Sequence, residues 1–221
     1  MTDPVTTLIV LFYGDVPAVS EIDALLAAHG AVTAALLART DSSSARAAMW
    51  TRDPLQRLPS GRLALELDDN GDSGTWLQAL TQAYDGVTYV CRAHTPLALP
   101  MAIGEVFDGT LQLCCFQRRS GLTDDQLSQF WLAEHTEVAV TTQNTLGYRQ
   151  NWVLSGGEPH FDGIVEEYFP PEASESMNAF FADGQDETLM WAHVQRLTAS
   201  SERFLDLDRT EVIHLTDTRI R

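Results

Sequence analysis

The sequence predicts an α+β chain of two successive βαββαβ units, and three observations lead there. Hydrophobic residues make up 44% of the 221 positions, enough for one large core or two small ones. Short apolar, strand-like runs alternate with segments of helical period along the whole chain. Three segments of the first half also have weak counterparts in the second: LIVLFY with LQLCCF, GRLALEL with DGIVEEYF, and YDGVTYVC with DRTEVIHL.

Taken in order, residues 6–13 read as a strand. A helix follows whose start is marked by Ser20 and Asp23, with Ile22, Leu25, Leu26 and His29 on one face. After a polar stretch at 41–45, residues 61–67 read as a strand, 75–84 as a helix and 87–93 as a strand. Pro96, Pro100 and Gly104 mark a linker, so the units are expected at 1–95 and 109–221. In the second unit, 110–117 is a strand, 124 to about 141 a helix, 147–154 and 163–169 strands, and 211–215 the last strand. This order is the ferredoxin-like one. Such a sheet carries helices on one face only, so two units are expected to pack sheet to sheet as an intramolecular α+β barrel around an apolar chamber.

The best-signalled helix is the one that opens at Asp124. Thr123 and Gln126 form a capping box, and Gly121 ends the preceding strand. Leu127, Phe130, Trp131, Glu134, His135 and Val138 then share one face of a 3.6-residue period. Glu134 and His135 interrupt a stripe that should be apolar. A neutral imidazole in a desolvated place can both take and give a proton, which makes His135 the leading catalytic candidate.

Composition removes several functions. The net charge of −17, from 14 basic and 31 acidic residues, disfavours a nucleic-acid partner. Every basic residue is arginine and there is no lysine, so no Schiff base, P-loop lysine or Ser-Lys nucleophile can be built. No apolar run reaches the roughly 20 residues of a membrane span, and the first residues lack the basic flank of a signal peptide. A soluble, cytoplasmic protein is expected. Cys91, Cys114 and Cys115 lie in strand-like runs and read as reduced core residues. His160 and Asp162 suggest an ion pair or weak metal site without a third ligand, so no metal is expected. Gly-x-Ser-x-Gly is absent.

Period-2 alternation divides the later strands into two faces. Tyr148, Gln150 and Trp152 oppose Arg149, Asn151 and Val153, and Ile164, Glu166 and Tyr168 oppose Val165, Glu167 and Phe169. Only one set of each can line a chamber. Glu166 could orient an imidazolium or act as a second base, and Tyr148 and Asn151 could donate to a substrate oxygen.

The second half resembles the EthD-like family of the dimeric α+β barrel superfamily. The marks are Arg119 with Gly121 and Leu122, Phe130 and Trp131 with His135, Gly147 and Tyr148 with Asn151, Asp162 and Gly163 with Glu166 and Phe169, and the run from Glu202 to Asp206. Residues 184–200, with Trp191 and His193, depart from the family's shorter connection and are expected to cover a barrel end. The resemblance implies that His135 faces the barrel interior. The first half looks like a diverged copy, with His29 opposite Glu134 or, after a small gap, opposite His135.

The expected function is acid/base catalysis without a cofactor on a small aromatic, polyketide-like or lactone substrate, as a dehydratase, isomerase or cyclase. His135, Glu166 and Tyr148 are the expected catalytic groups; Trp131, Asn151, Trp152, Tyr168 and His29 the expected substrate contacts. The alternatives are a monooxygenase of the same superfamily, cofactorless or haem-dependent, and a non-catalytic ligand-binding or stress-response module. The expected partner is a small hydrophobic organic molecule, not nucleic acid or membrane, and a homodimer is left open.

Overall fold

A computed structural model describes residues 5–28, 32–67, 74–182, 184 and 186–221. Eight antiparallel strands close a barrel. The first half supplies β1 (Val5–Phe12), β2 (Val32–Arg39), β3 (Gly61–Leu67) and β4 (Gly86–Leu97). The second supplies β5 (Thr110–Arg118), β6 (Gly147–Gly156), β7 (Gly163–Phe169) and β8 (Leu205–Arg219). The order around the barrel is β1-β3-β2-β8-β5-β7-β6-β4, so each half has the same internal order and the seams are β2–β8 and β4–β6. Closure leaves no sheet edge open to aggregation.

Helices α1 (Val19–Ala28) and α3 (Gly74–Ala83) belong to the first half, and α2 (Ser42–Arg46) runs into a 3-10 turn at Ala47–Trp50. In the second half α4 (Asp124–Leu127) continues as a π-helical stretch at Ser128–His135 and then as α5 (Thr136–Thr142). After β7 come a 3-10 turn at Pro171–Ser174, α6 (Met177–Ala182) and α7 (Glu187–Ser201). The capping box at Thr123 and Gln126 is present as the sequence predicts. Among the described residues no helix is long and apolar enough to cross a membrane.

Three readings of local structure need correction. Strand β2 goes unread in the sequence because Ala34, Ala35 and Ala38 are strong helix formers; pairing on both sides, with β3 and β8, overrides that preference. Strand β8 runs far beyond 211–215, because its length is set by two neighbours, β5 and β2, reached in succession. The described helix of residues 184–200, α7, is not a barrel-end cover: it packs on α6, α5 and the π-helical stretch, and its Leu197 joins the outer-face cluster of Tyr148 and Val165.

The lumen is packed through its middle, and one end opens into a cavity of about 190 Å³ lined by Leu36, Glu66, Met101, Arg149 and Tyr168. Ile9, Leu11, Tyr89, Leu113, Ile164 and Leu215 fill much of the lumen. Buried charges lie beside this cavity in a paired form. Arg62, fully buried, holds Glu166 at 2.8 Å and Asp217 at 2.9 Å and donates to the Leu36 carbonyl. Arg149 holds Glu66 at 2.8 Å and Thr7 at 2.6 Å. Arg62 comes from β3 and its two carboxylates from β7 and β8, so this cluster ties the two halves across the barrel. All three cysteines are free thiols, with Cys91 and Cys115 in the lumen cluster and Cys114 on the outer side.

Candidate active site between the sheet and its helices

The π-helical stretch sets where His135 points. A π turn takes more residues than an α turn, and the buried positions along this helix fall every fourth residue from Leu127 through Trp131 and His135 to Ala139, and then at Thr142. The 3.6-residue stripe expected from the sequence is therefore rotated. Glu134 leaves it for the rim, where it pairs with Arg203 and accepts from Gln129 Nε2 at 2.7 Å, while Arg203 lies 4.2 Å above the Phe130 ring.

His135 faces the outer side of the sheet, not the lumen. With Trp131, Leu197, Ser201, Phe204 and the outward side chains of β5, β6 and β7 it lines a cavity of about 120 Å³. The outward side chains are Gln112, Cys114, Phe116, Tyr148, Val165 and Glu167. The reason is topological: the helices cover the convex face, and the concave faces, which the sequence reading expected to form the chamber, are rolled together into the packed lumen.

This divides the predicted residues into two groups on opposite sides of one sheet. Tyr148, Trp131 and His135 share the outer cavity. Trp152 stands on that side but stacks on Trp131, with ring centroids 6.1 Å apart, beneath Arg118. Glu166, Asn151 and Tyr168 are in the lumen. Asn151 Nδ2 donates to Glu166 at 2.9 Å and Tyr168 OH donates to Asp217 at 2.7 Å, so these three serve the buried ion cluster. His29 lies outside the described residues. Asp162 is taken by Arg118, at 2.6 Å from Nε, with the His160 ring 3.9 Å away.

The sequence reading missed Glu167, and the strand register shows what surrounds it. Gln112 on β5 stands opposite Glu167 on β7 and opposite His214 on β8, and Glu167 stands opposite Tyr148 on β6. The result is a polar row across four strands, under the helices. The first half offers an internal control. Matching the pairs Phe12–Gly61 and Phe116–Gly163, the equivalent row is Ala35, Leu65, Leu8 and Val90, all within one apolar cluster. The fold is thus satisfied by apolar groups there, and the polar row of the second half stands where packing alone does not ask for it.

Burial separates the two ionisable groups of the cavity. Glu167 is pushed up to about 8 by desolvation, against a weaker lowering by Gln112, whose Nε2 donates to Oε2 at 3.3 Å. Desolvation pushes His135 down to about 4. Between those values the imidazole is an unprotonated base and the carboxyl a protonated acid. His135 Nδ1 lies 2.9 Å from Ser200 Oγ on α7; when Nδ1 carries the proton and donates there, Nε2 is the free base.

Three hydrogen-bond donors belong to residues that line the same cavity, two of them on atoms shut off from it in this structure. Trp131 Nε1 is buried and turned toward the Tyr148 hydroxyl without a well-formed hydrogen bond, and Glu167 Oε1, the oxygen left for the proton when Oε2 accepts from Gln112, is buried with no partner. Tyr148 OH accepts from Gln150 Nε2 at 3.1 Å, which leaves its own hydrogen to donate. Gln150 is itself fixed by Thr136 Oγ1 at 3.1 Å. Gly163 lets the Trp131 ring lie on the strand: a Cβ there would sit 2.4 Å from Phe116 and 2.6 Å from Trp131. Donors gathered around one cavity suit an oxygen that carries developing negative charge.

No protein-family model and no curated protein matches the chain. Its fold is that of a solved anthrone oxidase-like protein, with a TM-score of 0.56 and 10% identity over 99% of this chain and 94% of that one. A candidate monooxygenase from Fusobacterium nucleatum subsp. nucleatum aligns with a TM-score of 0.45 and 10% identity over 100% of this chain and 94% of the other. The first likeness shows the fold class: a mixed α+β barrel with the ferredoxin-like strand order.

Proposed function

We propose that the outer cavity is the active site of a cofactor-independent monooxygenase that removes a proton from a small aromatic carbonyl compound and lets the resulting enolate react with dioxygen. The observation that carries this reading is the pairing of an unprotonated His135 with a protonated Glu167 in the lining of one partly open cavity of mixed polar and apolar surface. A methylene made acidic by a carbonyl, attached directly or through an aromatic ring, would lose a proton to His135. The oxygen that gains charge would be held by Trp131 Nε1, Tyr148 OH and Glu167. Dioxygen is the oxidant: one of its atoms becomes the new carbonyl, and the other leaves as water with the two methylene hydrogens.

The cavity of about 120 Å³ is smaller than the engineered apolar cavity of about 150 Å³ that accepts benzene, so a ring with its methylene and carbonyl enters only by extending through the open side of the cavity. The resemblance of the second half to the EthD-like family has Trp131, His135 and Tyr148 among its marks but implies an interior histidine, so it supports these residues and not this face of the sheet. Likeness in fold to an anthrone oxidase-like protein makes anthrone a rational first substrate to offer. A tricycle requires the cavity to widen, and α7 is the element that would move.

The non-oxidative reading, a dehydratase, isomerase or cyclase, is favoured by one observation: Glu167 keeps a proton at neutral pH and can return it to carbon or oxygen. Oxygen consumption decides between them. Oxygen uptake with anthrone, a monocyclic aryl ketone or a quinol, lost in His135→Asn, supports the monooxygenase; turnover that persists without oxygen supports the second reading. No turnover in either condition with a panel of aryl ketones would overturn both.

A further inference from the structure

We infer that the cavity at the open end of the lumen is a second ligand site, for a small organic carboxylate with a compact apolar body such as benzoate. At about 190 Å³ it is larger than the outer cavity of about 120 Å³ that holds His135. An engineered apolar cavity of about 150 Å³ holds benzene, so this one has room for a ring and one small group more. Leu36 from β2, Leu97 from β4, and Leu99 and Met101 from the segment that joins the two halves give it apolar walls. Its charged lining is Glu66 from β3, Arg149 from β6 and Arg219 from β8.

The balance of these three charges selects an anion. Arg149 Nη1 holds Glu66 at 2.8 Å, so those two cancel. Arg219 is left over: its Nε donates to the Arg221 carbonyl and its Nη1 to the Met101 carbonyl, each at 3.1 Å, and among the described residues no carboxylate pairs with it. Its Nη2 is therefore left to meet a ligand. The carboxylates further in, Glu166 and Asp217, already hold Arg62, Asn151 and Tyr168, and neither lines the cavity. One guanidinium among apolar walls suits a singly charged anion with a hydrocarbon body, because a strongly hydrated phosphate or sulfate would lose its water without enough donors to replace it. The first half shows that the barrel does not need these cations. With the halves matched as before, Arg149, opposite Glu166, corresponds to Leu36, opposite Ala64, and Arg219 corresponds to Thr95 by the same offset that relates His214 to Val90. Leu36 and Thr95 line this same cavity. One half thus meets it with a leucine and a threonine and the other with two arginines, in a chain of net charge −17.

Benzoate is the probe, titrated into the full chain carrying 13C at its methionine methyls and 15N at its tryptophan indoles. The Met101 methyl, assigned with Met101→Leu, should shift and saturate. Benzyl alcohol, a body of similar size without the charge, should bind about tenfold more weakly. Arg219→Met should weaken benzoate by about the same factor; the backbone bonds of residue 219 to Gly104 and Glu105 still hold the joining segment in that variant. Ala34→Leu, which fills the cavity and keeps both arginines, should abolish the shift. A Met101 methyl that does not move, whether or not benzoate reaches Trp131 in the outer cavity, overturns the inference. Equal affinity for benzyl alcohol, unchanged affinity in folded Arg219→Met, or binding retained in Ala34→Leu overturns it as well. The comparison of the two probes needs no variant, and none of these readouts depends on turnover, so failure here is distinct from failure of the proposed reaction.

Discussion

Glu167→Gln should make the protein more stable at neutral and alkaline pH while removing the site's acid. The carboxyl rises from an ordinary 4.5 to about 8 on folding. For a carboxyl raised in this way the sign is opposite to the usual one: nothing is lost below 4.5, stability falls as pH rises from 4.5 to 8, and the loss is constant above that. At about 1.4 kcal/mol per pH unit, the loss at pH 7 is roughly 3 kcal/mol. Glutamine has the same shape and no charge, so it should recover most of this, about 2 kcal/mol after allowing for a poorer match to Gln112. The assay is urea unfolding of both proteins at pH 5 and pH 8, read by far-UV and near-UV circular dichroism. The gain should be small at pH 5 and large at pH 8. A difference between the two proteins that is the same at both pH values would refute a buried, protonated Glu167.

Four further outcomes follow from the same geometry. The rate of the proposed reaction should be level between about pH 4 and pH 8 and fall on either side, as His135 gains a proton in acid and Glu167 loses one in base; a single rise through pH 6.5 would contradict it. Trp131→Phe keeps the ring but loses the unpartnered Nε1 donor, so the dissociation constant of an aryl ketone should rise about tenfold, measured by fluorescence titration. Arg62→Met leaves Glu166 and Asp217 buried without their cation and should cost about 3–5 kcal/mol in urea unfolding. Gly163→Ala forces a Cβ to within 2.4 Å of Phe116 and should cost about 1–3 kcal/mol, with displacement of Trp131 visible in its fluorescence.

Much of the barrel was legible because strand periodicity and turn residues are local signals. The run around Leu8 to Phe12, the capping box at Thr123 and the glycine that opens each of β3 and β7 all survive in the structure. Strand β2 was not legible, since alanine favours helix until two neighbouring strands claim it. The candidate site was half legible. His135, Trp131 and Tyr148 were found from helical period and strand alternation, yet the alternation has no sign: it shows that Glu166 and Glu167 lie on opposite faces without saying which face meets the helices. The π-helical stretch was hidden as well, because no residue type announces it, and it alone takes Glu134 off the buried stripe. The signal that could have found Glu167 was present in the comparison of halves. Leu65 at the corresponding place in β3 shows that an apolar residue suffices there, and a carboxyl in its stead asks for a reason.

The central claim is that chemistry occurs beneath the helices and not in the lumen, and exchange of a substrate proton tests it most directly. An aryl ketone deuterated at the methylene should lose its label to water in the presence of the wild-type protein, as followed by 1H NMR under nitrogen. The account predicts that His135→Asn abolishes the exchange while Tyr168→Phe, which removes only a lumen hydroxyl bonded to Asp217, retains it. Exchange that survives in His135→Asn and disappears in Tyr168→Phe would place the site inside the barrel and contradict the account.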